Sequence, residues 1–223
     1  MLNNAIRYSL PSLQSLNKSI FKIKALDYLS KMNQPIKKVS DLTKTEKERL
    51  SIADFFHDLE TEGRRLYMLT LTYNYGNKKE EHQKIMAEKT SIHFYQYSLL
   101  PHLTNKKNFY RQPDLPICFS FLDDQPYERK RVGIHSHMIM AVKNTIDLGL
   151  QKLKGFLLPH EIVKMNMPKN SIQQENGMRS IDRIRSFDIQ RCERGEVVTL
   201  YASKSIQKYP EYKVFGYKKI INR

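Results

Sequence analysis

A chain of 223 residues with 38 Lys and Arg against 23 Asp and Glu, a formal charge of +15, can bury a core as one domain and is basic enough to favour a polyanionic partner. A mean hydropathy of -0.60 and the lack of any uninterrupted apolar run approaching roughly 20 residues argue against a membrane protein. The opening MLNNAIRYSLPSLQSLNKSI has no compact apolar segment ahead of small residues, so no secretory signal is expected. Cys118 and Cys192 stand far apart, in no metal-ligand spacing, and a cytoplasmic protein with free thiols is the expectation.

Residues 1–39 are polar with scattered Leu and Ile and read as a loosely helical arm. A stronger helix follows Ser40 or Thr43, with Leu50, Ile52, Phe55, Phe56 and Leu59 at helical spacing and Gly63 as its stop. Residues 66–75, LYMLTLTYNY, alternate and are rich in β-formers, which predicts a strand, and Gly76-Asn77 supplies a turn. Helical periodicity returns over 79–100 through Ile85, Ile92, Tyr95 and Leu99.

Pro113 and Pro116 punctuate a loop before a short strand, 117–122. The charged stretch DDQPYERKR separates it from another strand, 134–142, and the two predict a hairpin with a long tip. Residues 146–157 predict a helix and 165–180 an irregular polar excursion. A strand over 187–192 turns at Glu193–Gly195, and a last helix runs over 196–207. The fold class is α+β, a central antiparallel sheet flanked by helices. The expected division is a helical arm, 1–63, and a main domain, 64–223, ending in a basic tail.

Two patterns carry chemistry. In Gly133-Ile134-His135-Ser136-His137, residues two apart on a strand face the same way, so His135 and His137 can share a divalent metal. A third ligand would come from the end of the preceding strand: Asp124 is favoured over Asp123, with Glu128, Asp188 and Gln190 as alternatives. Two histidines and one carboxylate leave positions open, suiting Mg²⁺ or Mn²⁺ on a phosphate oxygen. The second pattern is Tyr201-Ala202-Ser203-Lys204. On a continuous helix Tyr201, Lys204 and Lys208 share a face, placing a phenol beside two ammonium groups that favour phenolate character and hold a phosphate. The 13 Tyr and 10 Phe, with no Trp, add faces for unpaired bases, among them Tyr209, Tyr212, Phe215 and Tyr217 of the tail.

The order of Met68-Leu69-Thr70-Leu71-Thr72, His135-Ser136-His137 and Tyr201-Ala202-Ser203-Lys204 resembles the HUH endonuclease superfamily, specifically rolling-circle replication initiators of plasmids and phages. The resemblance covers roughly residues 65 to 209. It implies an RRM-like antiparallel sheet carrying the histidines, with the nucleophile on an adjacent helix. It further implies that Tyr201 attacks single-stranded or hairpin DNA, becomes linked to the 5′ phosphate and leaves a 3′ hydroxyl for the host helicase and polymerase. Lys204 would steady the phosphate, a metal on His135, His137 and Asp124 would polarise it, and Lys208, Lys213, Thr70 and Thr72 would contact the DNA. This chain departs from the family in having Ser136, where a hydrophobic residue is usual between the histidines. A second frame, with Gly133 in the first histidine's place, leaves His137 outside the motif. No Gly-rich Walker loop is present, so no helicase activity is expected. The alternatives are a single-strand transposase or relaxase of the same superfamily, and a non-catalytic nucleic-acid-binding module.

Overall fold

The computed structural model describes residues 42–100, 103, 115–125, 133–143, 155–157 and 183–216. Among the described residues the first helix, α1 (Lys44–Thr61), begins at Thr43, one of the two caps the sequence offers. The Thr43 side chain accepts from the Glu46 amide, and the Glu46 carboxylate accepts from the Thr43 amide at 2.7 Å. Past its end, Gly63 sits at φ +88°, the left-handed region that releases the chain from the helix. Strand β1 (Arg65–Tyr73) follows, then α2 (Glu80–His93), which widens into a π-helical turn over Phe94–Leu99. The hairpin strands are β2 (Ile117–Asp123) and β3 (His135–Val142), and after them come β4 (Gly155–Leu157) and β5 (Ile184–Cys192). The described residues close with α3 (Gly195–Ala202) and β6 (Lys213–Phe215).

These strands form one six-stranded sheet in the order β4-β5-β1-β3-β2-β6. Every neighbouring pair is antiparallel, so the α+β class with flanking helices is the observed one. Strands β1 and β3 lie at the centre, and β2 and β3 are buried at every position. Their continuous apolar character follows from helices covering both faces.

On one face α2 and the π-helical turn pack Ala87, Phe94, Tyr95 and Leu99 against Tyr67, Leu69, Leu71, Met138 and Met140. On the other face α1 supplies Ile52, Phe56 and Leu59 against Leu66, Phe119, Phe121 and Ile139, joined by Ala202 and Ile206. Phe56 is wholly buried, with its ring 5.2 Å from that of Phe119. Helix α1 is thus one wall of the sheet's core, and the division expected at residue 63 falls inside a packed unit. Residues 1–41 of the expected arm lie outside the described residues.

Three expectations change on this scaffold. The helix expected over 146–157 gives way at its end to β4, whose Phe156 stands opposite Asp188 of β5; residues 144–154 and the excursion over 165–180 lie outside the described residues. The last helix stops at Ala202 and continues as turns through Lys208. The tail aromatics serve the core: Tyr209 and Phe215 are buried, and Tyr212 stacks on Phe119 at 5.8 Å. They pack there because β6 pairs with β2, turning the tail back onto the sheet edge. Tyr217 lies outside the described residues.

Candidate active site

Asp123 stands opposite His135, and Phe121 opposite His137, across the β2–β3 ladder. Opposed residues share a face, as do residues two apart on a strand. Asp123, His135 and His137 therefore all project to the side covered by α1 and α3, and each is at most 2% exposed. Asp123 Oδ2 lies 3.5 Å from His135 Nε2 and 3.2 Å from His137 Nε2. Both histidines belong to this group, so the frame that leaves His137 outside does not describe it.

The remaining ring nitrogens are engaged from behind. His135 Nδ1 lies 3.2 Å from the Gly133 carbonyl, which can only accept, so Nδ1 donates there and Nε2 is the nitrogen turned to Asp123. His137 Nδ1 lies 3.2 Å from the Thr70 hydroxyl, Thr70 being its register partner on β1. Such outer contacts fix the tautomer and orientation of a metal-ligating imidazole. Gly133 makes its contact at φ +71°, where an added Cβ would meet Gln83 Oε1 at 3.0 Å; a side chain there is disfavoured by both backbone and space.

Electrostatics suit a cation. Burial works to raise the Asp123 pKa, but hydrogen bonds with His135, His137, Lys204 and Ser205 outweigh it and hold the carboxyl well below the usual range. Burial likewise pulls the His137 pKa below its ordinary value against the opposing effect of Asp123, keeping the imidazole in its neutral, ligating form. A buried Asp-His-His group with both Nε2 atoms and a carboxylate oxygen converging can bind a metal ion.

The expected carboxylate is corrected by one residue. Asp124 lies past the strand end and pairs with Lys208 at the surface. The strand's alternation sends Asp123, its neighbour, to the histidines. Asp188 aligns with Thr70, two strands from His135, and its Oδ2 accepts from Gln190 at 2.7 Å. Glu128 lies outside the described residues.

Tyr201 stands in the last turn of α3, 43% exposed, its ring 5.4 Å from that of His137. Among the described residues, Ile85 is the other exposed large hydrophobic. Lys204 reaches back from the turn after α3 to place Nζ 2.8 Å from Asp123 Oδ2 and 4.4 Å from the Tyr201 ring centroid. Lys204 and Lys208 do not share a helical face with Tyr201, since the helix has ended; Lys204 joins Asp123, while Lys208 joins Asp124 and lies 3.4 Å from Glu80.

No known family, no curated protein and no solved structure matches this chain.

Several contributors were not foreseen. The Ser205 hydroxyl donates to Asp123 Oδ1, and the Gln125 amide donates to the same oxygen at 3.1 Å. The Tyr73 hydroxyl donates to Ser136 Oγ at 2.7 Å on the opposite face. A serine between the histidines is accommodated because it has this buried partner. Ser136 was visible only as a departure from the family pattern, and Ser205 carried no signal beyond its place after Tyr201.

The expected DNA contacts divide. The Thr70 hydroxyl is spent on His137, and Thr72 Oγ1 lies 2.5 Å from Ser186 Oγ beside it. Lys213 alternates with Val214, which packs on the α1 side, and so points to the α2 side, its Nζ 3.8 Å from Glu88. It is on the face of the sheet away from Tyr201.

A second group, His57, Glu60 and Glu196, lies on the seam between α1 and α3. There the Glu60 carboxylate already accepts the Arg194 and Gly195 amides, at 3.2 and 2.8 Å, as the cap of α3.

Proposed function

We propose that this protein cuts and rejoins single-stranded DNA through Tyr201, as a rolling-circle replication initiator of the HUH type. The observation that carries the reading is a solvent-facing phenol set against His137 and beneath the Lys204 ammonium, beside the buried Asp123, His135 and His137. A tyrosine serving only the core has no need to leave 43% of its surface exposed at such a place.

In this reading the Tyr201 oxygen attacks a DNA phosphorus. The Tyr201 O–P bond forms, the phenol proton passing to solvent, as the bond from phosphorus to the 3′ oxygen breaks, and that oxygen leaves as a hydroxyl after taking a proton from solvent. The strand's 5′ phosphate is held as a phosphotyrosine ester. Attack by a 3′ hydroxyl reverses the exchange, and because one phosphodiester replaces another no nucleoside triphosphate is consumed. The Lys204 ammonium, already over the Tyr201 ring, holds a non-bridging oxygen of the phosphate. Asp123 Oδ2 and the Nε2 atoms of His135 and His137 would hold a divalent ion, Mg²⁺ or Mn²⁺, which when bound supplies Lewis-acid polarisation of the phosphate. Thr70 orients the His137 ring, and the Gly133 carbonyl, an acceptor only, takes the Nδ1 hydrogen of His135 and leaves its Nε2 for the ion.

The basic charge of +15 supports a nucleic-acid partner. The setting would be cytoplasmic, with the freed 3′ hydroxyl extended by host replication proteins. No helix of the described residues is long and apolar enough to cross a membrane.

The test is incubation with Mn²⁺ and a pool of single-stranded oligonucleotides, followed by denaturing electrophoresis. The expected product is a covalent protein–DNA adduct, absent with chelator and in Tyr201→Phe. DNA binding without any adduct would favour the non-catalytic module instead.

A further inference from the structure

Helix α3 is only eight residues long and carries Tyr201 one residue from its end, so its own hydrogen bonds hold the nucleophile weakly. The last carbonyls of a helix have no partners within it, and in α3 they are satisfied from three directions. The Thr199 carbonyl accepts the Ser203 amide at 2.9 Å and its hydroxyl at 2.7 Å, and the Tyr201 carbonyl accepts the Lys204 amide at 3.2 Å. The Leu200 carbonyl accepts from outside, at 2.7 Å, from an Arg49 guanidinium nitrogen of α1. Arg49 Nε also lies 3.3 Å from the Ser203 hydroxyl, which is fully buried.

The arrangement at the opposite end of α3 is its electrostatic complement. Glu60, eleven positions after Arg49 on the same helix α1, accepts the Arg194 and Gly195 amides at the start of α3. A carboxylate at the N-terminus and a guanidinium at the C-terminus both oppose the helix dipole favourably. Helix α1 therefore grips α3 at both ends.

We infer that Arg49 is a positioning residue for Tyr201: by joining the Leu200 carbonyl to Ser203 it fixes the backbone on either side of the nucleophile. This inference rests on the proposed role of Tyr201. It also assigns α1 a part in the site, through a residue more than 150 positions away in sequence. The same clamp sets the turn that carries Lys204 and Ser205 to Asp123. Misplacement by about 1 Å of a reacting group can cost on the order of 100-fold in rate, so loosening this turn should act on the chemical step. Metal affinity should change little, since the three ligands sit on the β2–β3 ladder.

The experiment compares wild type with Arg49→Met and Arg49→Lys. Single-turnover adduct formation is measured at saturating single-stranded DNA, Mn²⁺ affinity by calorimetry, and amide hydrogen exchange at Ser203, Lys204 and Ile206. Arg49→Met is expected to slow adduct formation about 10–100-fold and to accelerate exchange at those amides about 10-fold or more. Its Mn²⁺ affinity should stay within about 3-fold of wild type, because its ligand distances do not depend on α3. Arg49→Lys, which reaches one partner but lacks the fork, should fall between; it carries the test alone if the Met variant does not fold. Unchanged exchange at the three amides overturns the inference. A rate that saturating DNA restores overturns it too, making Arg49 a DNA contact. If wild type itself forms no adduct, the proposed chemistry fails, while the exchange measurement still decides whether Arg49 holds the turn.

Discussion

Replacing Asp123 and Asp124 one at a time by Asn separates two adjacent carboxylates that sequence alone ranks in the opposite order. Asp123 is wholly buried and meets Lys204 Nζ at 2.8 Å, the Gln125 amide at 3.1 Å, and two imidazoles. Removing one partner of a buried, hydrogen-bonded charge pair costs about 3–5 kcal/mol. Lys204 remains about a third exposed and can turn to water, so the lower end, about 3 kcal/mol, is expected for Asp123→Asn without metal. Asp124 meets a half-exposed Lys208, a solvent-screened surface pair that contributes little. Urea unfolding in chelator should therefore lower the midpoint by roughly 1–2 M for Asp123→Asn and by under about 0.5 M for Asp124→Asn, at a slope near 2 kcal/mol/M. Repeated with Mn²⁺ at about 100 times its dissociation constant, wild type and Asp124→Asn should each gain about 2.7 kcal/mol. Asp123→Asn should gain almost nothing. Mn²⁺ stabilisation that survives in Asp123→Asn and vanishes in Asp124→Asn would refute the assignment of the carboxylate.

Tyr201→Phe should abolish adducts while changing stability by under about 0.5 kcal/mol, given its exposure; denaturing gels and urea unfolding check both halves. Thr70→Val removes the partner of His137 Nδ1 and should weaken Mn²⁺ affinity about 10–100-fold, measured by calorimetry against an unchanged Thr72→Val. Phe56→Ala should cost about 3–5 kcal/mol in urea unfolding if α1 is a wall of the core; a cost under about 1 kcal/mol would make it a detachable arm. Because the folded His137 pKa is depressed, unfolding binds a proton at this site. Its contribution is fully present above the ordinary value near 6.5 and is lost as the pH falls below it. Metal-free stability measured from pH 7.5 down to 5.5 should decline, and His137→Gln should flatten that decline.

Local pattern fixed much of the scaffold. The capping box at Thr43 and Glu46, the alternation of β1 and the apolar runs of β2 and β3 are properties of neighbouring residues, and each element formed within a few positions of its expected bounds. The pairing of His135 with His137 was equally legible, since strand geometry alone sends both to one face. The third ligand was not. Asp123 and Asp124 are chemically identical and adjacent, and only the β2–β3 register, with Asp123 opposite His135, selects between them.

The end of α3 was misread for a related reason. Residues 203–207 have ordinary helical composition, but Ser203 is drawn onto Arg49, Lys204 onto Asp123, and Ser205 onto Asp123, and these long-range bonds outweigh a weak local preference. Lys213 looked like one more basic residue of a tail until pairing of β6 with β2 sent it to the α2 face. Residue type and spacing specified which groups could do chemistry. Which of them meet was decided by strand order, register and the packing of α1 along α3, because those depend on contacts between residues up to about 150 positions apart, which no local periodicity encodes.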